Sequence, residues 1–113
     1  MNPTSISRAT FSIDGLNLAV SGGSPSRISY RGVAGGLLFV DTLTGGATYT
    51  ITWYAAFTEG GTLVPAADTS GNALTTTVTA GKAYEIPGSL YGAVQIAPVL
   101  NNGSGAARAT LKA

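Results

Sequence analysis

The sequence predicts an all-β protein: an antiparallel β-sandwich, with a jelly roll preferred over an immunoglobulin-like arrangement. Three observations predict this fold class. Helix signals are almost absent, and each of the 16 glycines costs a helix about 1 kcal/mol relative to alanine. Threonine, valine, isoleucine and tyrosine fill the runs between the glycines, and these residues favour strands. Turn residues recur at short intervals, which is the pattern of a sandwich or a barrel.

A short arm is expected before the domain. Residues 1–8 contain Pro3 and have no core-forming periodicity, so they are predicted to form an extended N-terminal arm. Residues 9–113 are a normal length for one domain. The first strand signal in this domain ends at Asp14-Gly15, where two alternating runs meet. That dipeptide predicts a tight hairpin turn.

Two apolar segments follow, and they differ in pattern. Residues 27–31 alternate, which places Ile28 and Tyr30 toward the core and points Arg27 and Arg31 to solvent. The run Leu-Leu-Phe-Val that follows Gly36 is apolar without interruption, as is typical of a strand covered on both faces. One face of such a strand needs a partner subunit, a loop or the arm as its cover.

The strongest strand signal spans residues 48–57. Successive side chains of a strand point to opposite faces, so Trp53 and Phe57 are predicted to face the core. Tyr54 then lies on the opposite face. An exposed Tyr54 would mark a contact with another protein or, as the alternative, a ligand patch.

The second half of the chain continues with short strands and turns. Pro65 marks a strand end or a sheet edge, because proline cannot donate to a ladder. Residues 68–72 combine Asp, Ser, Gly and Asn, which predicts a turn rather than a calcium loop, since only one carboxylate is present. The last strand, 108–112, points Arg108 and Lys112 outward. Outward charge is how exposed edge strands avoid unwanted pairing.

Composition excludes several classes of function. The chain has no cysteine and no histidine, so disulfides, thiolate metal sites and histidine bases are ruled out. No metal or cofactor is expected. The net charge is +1 and the basic residues are scattered, so nucleic acid is not an expected partner. The apolar runs are too short for a membrane helix, and the start lacks the features of a secretory signal, so no membrane association is expected.

A weakly charged surface favours contact with other protein. Only 10% of the residues are charged, against roughly 25% in ordinary globular domains. Asp41, Glu59 and Asp68 fall in or beside predicted turns, and two carboxylates about 5–10 Å apart in a cleft can hydrolyse a glycoside. Turn chemistry accounts for the two aspartates without catalysis. The protein is therefore expected not to be an enzyme, with a small hydrolase that uses Glu59 as a rival hypothesis.

One stretch of the chain resembles a known group of proteins. Residues 51–65 read ITWYAAFTEGGTLVP, and the pattern continues through Asp68, AYEIP at 83–87 and LYGA at 90–93. This pattern resembles short β-sandwich proteins from the structural gene clusters of tailed bacteriophages, including capsid decoration or cement proteins. The resemblance covers roughly the second half of the chain.

The resemblance implies a virion structural protein that sits on the outside of a capsid and is made in the cytoplasm of the bacterial host. Its implied partner is the major capsid protein or another virion protein, and the protein itself is expected to be a trimer or dimer. The alternative is a carbohydrate- or receptor-binding module of a phage tail or head fibre. Candidate contact residues are Pro3, Ile6 and Arg8 in the arm, the arginines Arg27 and Arg31, and Tyr54.

Overall fold

The fold is an antiparallel β-sandwich, as the sequence predicts. The computed structural model describes residues 10–18, 25–33, 35–44, 48–90 and 92–112, and these residues contain nine strands and one 3₁₀ turn, Gly88–Leu90. The strands are β1 (Thr10–Asn17), β2 (Ile28–Ser29), β3 (Gly35–Leu43), β4 (Thr48–Ala56), β5 (Val64–Pro65), β6 (Thr75–Thr79), β7 (Lys82–Glu85), β8 (Gln95–Leu100) and β9 (Gly105–Lys112).

The strands form two sheets. Sheet I has the order β1-β9-β3-β7, and sheet II has the order β2-β8-β4-β5, with β6 also pairing to β4. β5 pairs with Tyr54 and Ala55, whereas β6 pairs with residues 48–52, so these two short strands share one edge of β4. If β5 and β6 are counted together as one strand of sheet II, each sheet has four strands, which makes eight in all among the described residues. The chain alternates between the sheets from β1 to β4 and again from β6 to β9, which is a jelly-roll arrangement.

The core lies between the sheets and follows the predicted alternation. Trp53 is 1% exposed, and Ile28 and Tyr30 are 0% and 1% exposed, so the inward positions predicted for all three are confirmed. Each fully buried apolar side chain contributes roughly 1.5–3 kcal/mol. Other members of the core are Leu16, Leu38, Val40, Ile51, Val78, Ile96, Leu100 and Leu111.

The hairpin predicted at Asp14-Gly15 is wrong. β1 continues through this dipeptide as one strand paired with β9, and its register shifts between Ile13 and Leu16. Such a shift is a β-bulge, in which extra residues of one strand are accommodated without a turn. Gly15 has a φ of 70°, a left-handed conformation that glycine adopts at no steric cost. The turn-forming residues therefore bend the strand instead of ending it.

The prediction that the last strand forms a guarded edge is also wrong. β9 lies inside sheet I, between β1 and β3, because the chain returns its last strand to the middle of the sheet. Arg108 and Lys112 do point outward and are exposed. Their charges therefore lie on a face of the sheet, and the edge strands of sheet I are β1 and β7.

Phe57 is the third correction. The alternation places it in the core, yet β4 ends at Ala56 and the Phe57 side chain is 71% exposed. The alternation of a strand holds only within the strand, so it no longer determines the direction of Phe57 once β4 has ended, and a turn with Gly60 at a φ of 68° follows directly. Pro65, by contrast, lies in the two-residue strand β5 at the edge of sheet II, as predicted.

Candidate contact surfaces

Tyr54 lies on the outer face of sheet II, as the sequence predicts. Its partners in register are Ala97 on β8 and Pro65 on β5. The side chain is half-buried, whereas that of Trp53 beside it is fully buried. The face continues along β4 and β6 with two cross-strand threonine pairs, which makes it polar but uncharged at these positions. These pairs are Thr50 with Thr77 and Thr52 with Thr75.

Arg27 holds a loop of its own chain. Its Nη1 donates to the Gly61 carbonyl at 2.7 Å and to Gln95 Oε1 at 3.0 Å. The same Gln95 oxygen accepts from the Gly60 amide at 3.1 Å, and Gln95 Nε2 donates to Glu59 Oε2 at 3.4 Å. These bonds fasten the loop that follows β4 to the start of β8. Arg27 is exposed, and its contact with a partner stays a prediction beside this structural role.

The structure brings some of the predicted contact residues together and separates others. Arg27 precedes β2, and its side chain reaches Gln95 on β8, two residues from Ala97, which pairs with Tyr54 and is 0% exposed. Arg31 is exposed in the turn after β2, at the other end of that strand from Arg27. The arm candidates lie outside the described residues: Pro3, Ile6 and Arg8.

An uncharged groove of about 330 Å³, with both polar and apolar atoms at its surface, opens between the end of β4, β5 and the segment around the 3₁₀ turn. Its floor includes Ala55, Leu90 and Ala93, which are 6%, 2% and 6% exposed. Phe57 and Val64 form its rim, at 71% and 39% exposure. None of the described residues that line it is charged. This surface, called here the Phe57 groove, offers an apolar floor beside the most exposed large hydrophobic side chain among the described residues.

Sequence reasoning missed the Phe57 groove because it assigned Phe57 to the core. A usable signal was present in the residues that follow. Gly60 and Gly61 form a Gly-Gly pair, which marks a turn. A strand that stops one residue earlier than the hydrophobic pattern leaves its last aromatic residue outside. The other side of the groove comes from the 3₁₀ turn, and local patterning does not show that this segment packs near β5.

A second apolar surface lies on the outer face of sheet I. Leu37 is 49% exposed, and Phe39 beside it is half-buried. The guanidinium of Arg108 lies 4.8 Å from the Phe39 ring centroid, and its Nη2 is 3.0 Å from Asp41 Oδ1. Both charged side chains are partly exposed, so the pair contributes at most about 1 kcal/mol. The outer face of β3, predicted to need a cover, is therefore covered only in part by the described residues of this chain.

The carboxylates at or near turns are engaged in structure. Asp68 Oδ1 accepts hydrogen bonds from the amides of Ser70 at 2.9 Å and Asn72 at 3.0 Å, which confirms the turn predicted at 68–72. Asp41 lies on sheet I in its ion pair, whereas Glu59 lies in the loop after β4 of sheet II. Among the described residues, no three acids come together in a group able to hold a metal ion.

Tyr84 links the two sheets through its hydroxyl group. The amide of Thr79, on β6, donates to this oxygen at 2.7 Å, and the Thr79 hydroxyl lies 3.1 Å from it. The side-chain hydrogen bond with Thr79 is the main cause that lowers the pKa of Tyr84 from its ordinary value of 10.0, and the Thr79 amide and the Lys82 charge act in the same direction. Burial acts against them.

Comparisons with known proteins leave the chain without an assigned family. No protein-family model, curated protein or solved structure matches it. In the part of the chain that the structure describes, no helix is long and apolar enough to cross a membrane. A jelly roll hosts many unrelated functions, so function has to be inferred from the surfaces.

Proposed function

We propose that this protein is a non-enzymatic virion structural protein, a capsid decoration or cement protein of a tailed bacteriophage. The Phe57 groove is the observation that carries the proposal. Residues 51–65 and 90–93, which hold the resemblance to phage β-sandwich proteins, also supply most of the groove lining. The resemblance and the exposed apolar surface therefore coincide at one place in the fold.

The chemistry of the groove favours a protein partner. Burying a phenylalanine side chain fully contributes roughly 1.5–3 kcal/mol, and Phe57 keeps 71% of its surface available for burial by a partner. No charged residue lines the groove among the described residues, so the groove offers no ion pair to a phosphate or another ionic ligand. An apolar side chain on the major capsid protein or another virion protein fits this surface, and the low charge of the whole chain reduces the desolvation cost of docking.

Stabilisation of the shell follows from selective binding. A protein that binds the assembled shell, and not the separate subunits, shifts the equilibrium toward the shell by mass action. The protein is placed by this proposal on the capsid surface, as a dimer or trimer of the same chain. Its arm, with Pro3, Ile6 and Arg8, is proposed to extend the contact to a neighbouring subunit.

The test is co-sedimentation with purified empty shells of the phage that encodes the protein. Wild-type protein is expected to bind at a fixed ratio to shell subunits at micromolar concentration. Phe57→Ser should weaken binding about tenfold or more, because it removes the apolar rim of the groove. Leu37→Ser is the matched control, since Leu37 is also exposed but lies on the outer face of sheet I.

Both variants replace exposed side chains, so both should unfold at the wild-type temperature. Deletion of residues 1–8 is also expected to weaken shell binding. Absence of wild-type binding at micromolar concentration contradicts the proposal. Equal loss in Phe57→Ser and Leu37→Ser would contradict the assignment of the contact to the Phe57 groove.

Tyr54 supports one alternative, a carbohydrate- or receptor-binding module of a phage tail or head fibre. Tyr54 is half-buried beside Ala97, on the same face as the polar cluster of Arg27, Gln95 and Glu59. Aromatic rings next to amide and charged groups suit sugar recognition. Glycan-array binding that is lost in Tyr54→Ala and kept in Phe57→Ser would favour this alternative over shell binding.

A further inference from the structure

The outer edge of β1 carries few of the features that usually protect a strand edge. One side of β1 pairs with β9, and no strand among the described residues pairs with the other side. Such an edge presents unpaired N–H and C=O groups to any other extended strand. Proteins usually protect edges with charge, proline or short length. Residues 10–13 contain no charged residue and no proline, and the first charged residue of β1, Asp14, occurs at the bulge.

The core also continues to this edge, and its last side chains there remain partly exposed. Phe11 pairs with the buried Leu111, so it points to the core-facing side of sheet I, yet it is 49% exposed. Ile13 pairs with the buried Ala109 and packs against the core while it remains partly exposed. An apolar side chain next to Phe11 and Ile13 would continue the core beyond β1.

We propose that two copies of the chain pair antiparallel through residues 11–13 of β1, with Ser12 opposite Ser12 of the second copy. Side chains alternate along a strand. The core-facing sides of the two copies therefore stay together only when residues that point to the core side lie opposite residues of the second copy that also point to the core side. This register places Phe11 opposite Ile13 of the second copy. Each exposed apolar side chain is covered by the other, and the pairing ends before the bulge at Asp14.

The contact is small, and this sets its expected strength. Three residues of one edge bury far less than the roughly 800 Å² per partner of a stable interface, so the dimer is expected to dissociate in the micromolar range or above. Copies held side by side on a shell would pair more completely, because their effective concentration is high. The pairing specifies the homo-oligomer contact of the proposed function. It is tested on purified protein alone, so failure to dimerise and failure to bind shells are separate results.

The register is tested with a single thiol. The chain has no cysteine, so Ser12→Cys carries one thiol, and directly opposite Cβ atoms in a strand pair lie about 4.5–5.5 Å apart. Under mild oxidation Ser12→Cys is expected to form a covalent dimer. Thr110→Cys is the matched control, because Thr110 pairs with Ser12 on the same face but lies one strand further from the edge. Equal cross-linking of the two variants would overturn the proposal.

The dissociation constant of the dimer is measured by sedimentation velocity of the full chain at concentrations up to about 1 mM. Wild-type protein is expected to shift from monomer to dimer across this range. Ser12→Lys places two like charges opposite each other and should raise the dimer dissociation constant about tenfold or more, whereas Thr110→Lys should not. A wild-type chain that stays monomeric, or a Ser12→Lys variant that dimerises as the wild type does, would rule the contact out.

Discussion

The indole nitrogen of Trp53 donates a 3.0 Å hydrogen bond to the hydroxyl of Thr76. Trp53 lies on β4 and Thr76 on β6, so the bond joins two strands of sheet II on their core-facing side. The indole N–H is the only hydrogen-bonding group of this side chain, and Trp53 is 1% exposed. The bond therefore lets the largest side chain of the core be buried without an unsatisfied donor.

Trp53→Ala is expected to reduce the free energy of unfolding by about 3–5 kcal/mol, as truncation of a buried aromatic residue does. The reduction comes from lost apolar burial and from the cavity that remains between the sheets. Urea unfolding followed by circular dichroism measures it. A variant with wild-type stability would show that Trp53 is not the centre of the core.

Thr76→Val tests the hydrogen bond itself. Valine keeps the shape of threonine but removes the acceptor, which leaves the indole N–H buried and unpaired, at a cost of about 1–3 kcal/mol. Thr77→Val is the matched control on the same strand, because Thr77 is exposed, and it should change stability by less than about 0.5 kcal/mol. Equal effects of the two substitutions in urea unfolding would argue against a role for the bond.

Gly15→Ala tests the bulge in β1. A Cβ at this position meets no atom within 4 Å, but the φ of +70° strains any residue with a side chain. The expected loss is about 1–2 kcal/mol. Gly15→Asn should lose less, because asparagine tolerates the left-handed region better than alanine. If wild type and both variants unfold at the same temperature, the left-handed conformation assigned to Gly15 in the bulge would be contradicted.

The pKa of Tyr84 should depend on Thr79. Thr79→Val removes the side-chain hydrogen bond that is the largest cause of the lowered value, so the pKa of Tyr84 should rise in this variant. In the wild type, the folded chain releases this proton at a lower pH than the unfolded chain, so the interaction adds stability as the pH rises through the alkaline range toward 10.0 and above. NMR titration of labelled tyrosine measures the pKa, and an unchanged value in Thr79→Val would contradict the assigned cause.

Local patterning predicted the strands and their inward faces, because side-chain alternation is set within a few residues. The alternation at 27–31 and the burial of Trp53 follow from it directly. It could not predict where β9 stands in its sheet, since strand order depends on pairing between residues far apart in the chain. For the same reason Asp14-Gly15 has the composition of a hairpin turn, and only its pairing with β9 shows the bulge.

The candidate surface was harder to predict than the fold. Tyr54 was placed on the correct face because it neighbours Trp53 within one strand. The Phe57 groove depends on where β4 ends and on how the 3₁₀ turn packs near β5. A hydrophobic residue at a strand end looks the same in sequence whether it lies inside the core or at the rim of a groove.

The most direct test of a cement function is the thermal unfolding of empty shells in the presence of the protein. Binding to the assembled shell alone should raise the transition temperature, and the rise should continue with the logarithm of the free protein concentration above the dissociation constant. Phe57→Ser should require a higher concentration to reach the same rise. Shells that melt at one temperature regardless of how much wild-type protein is added would contradict the account.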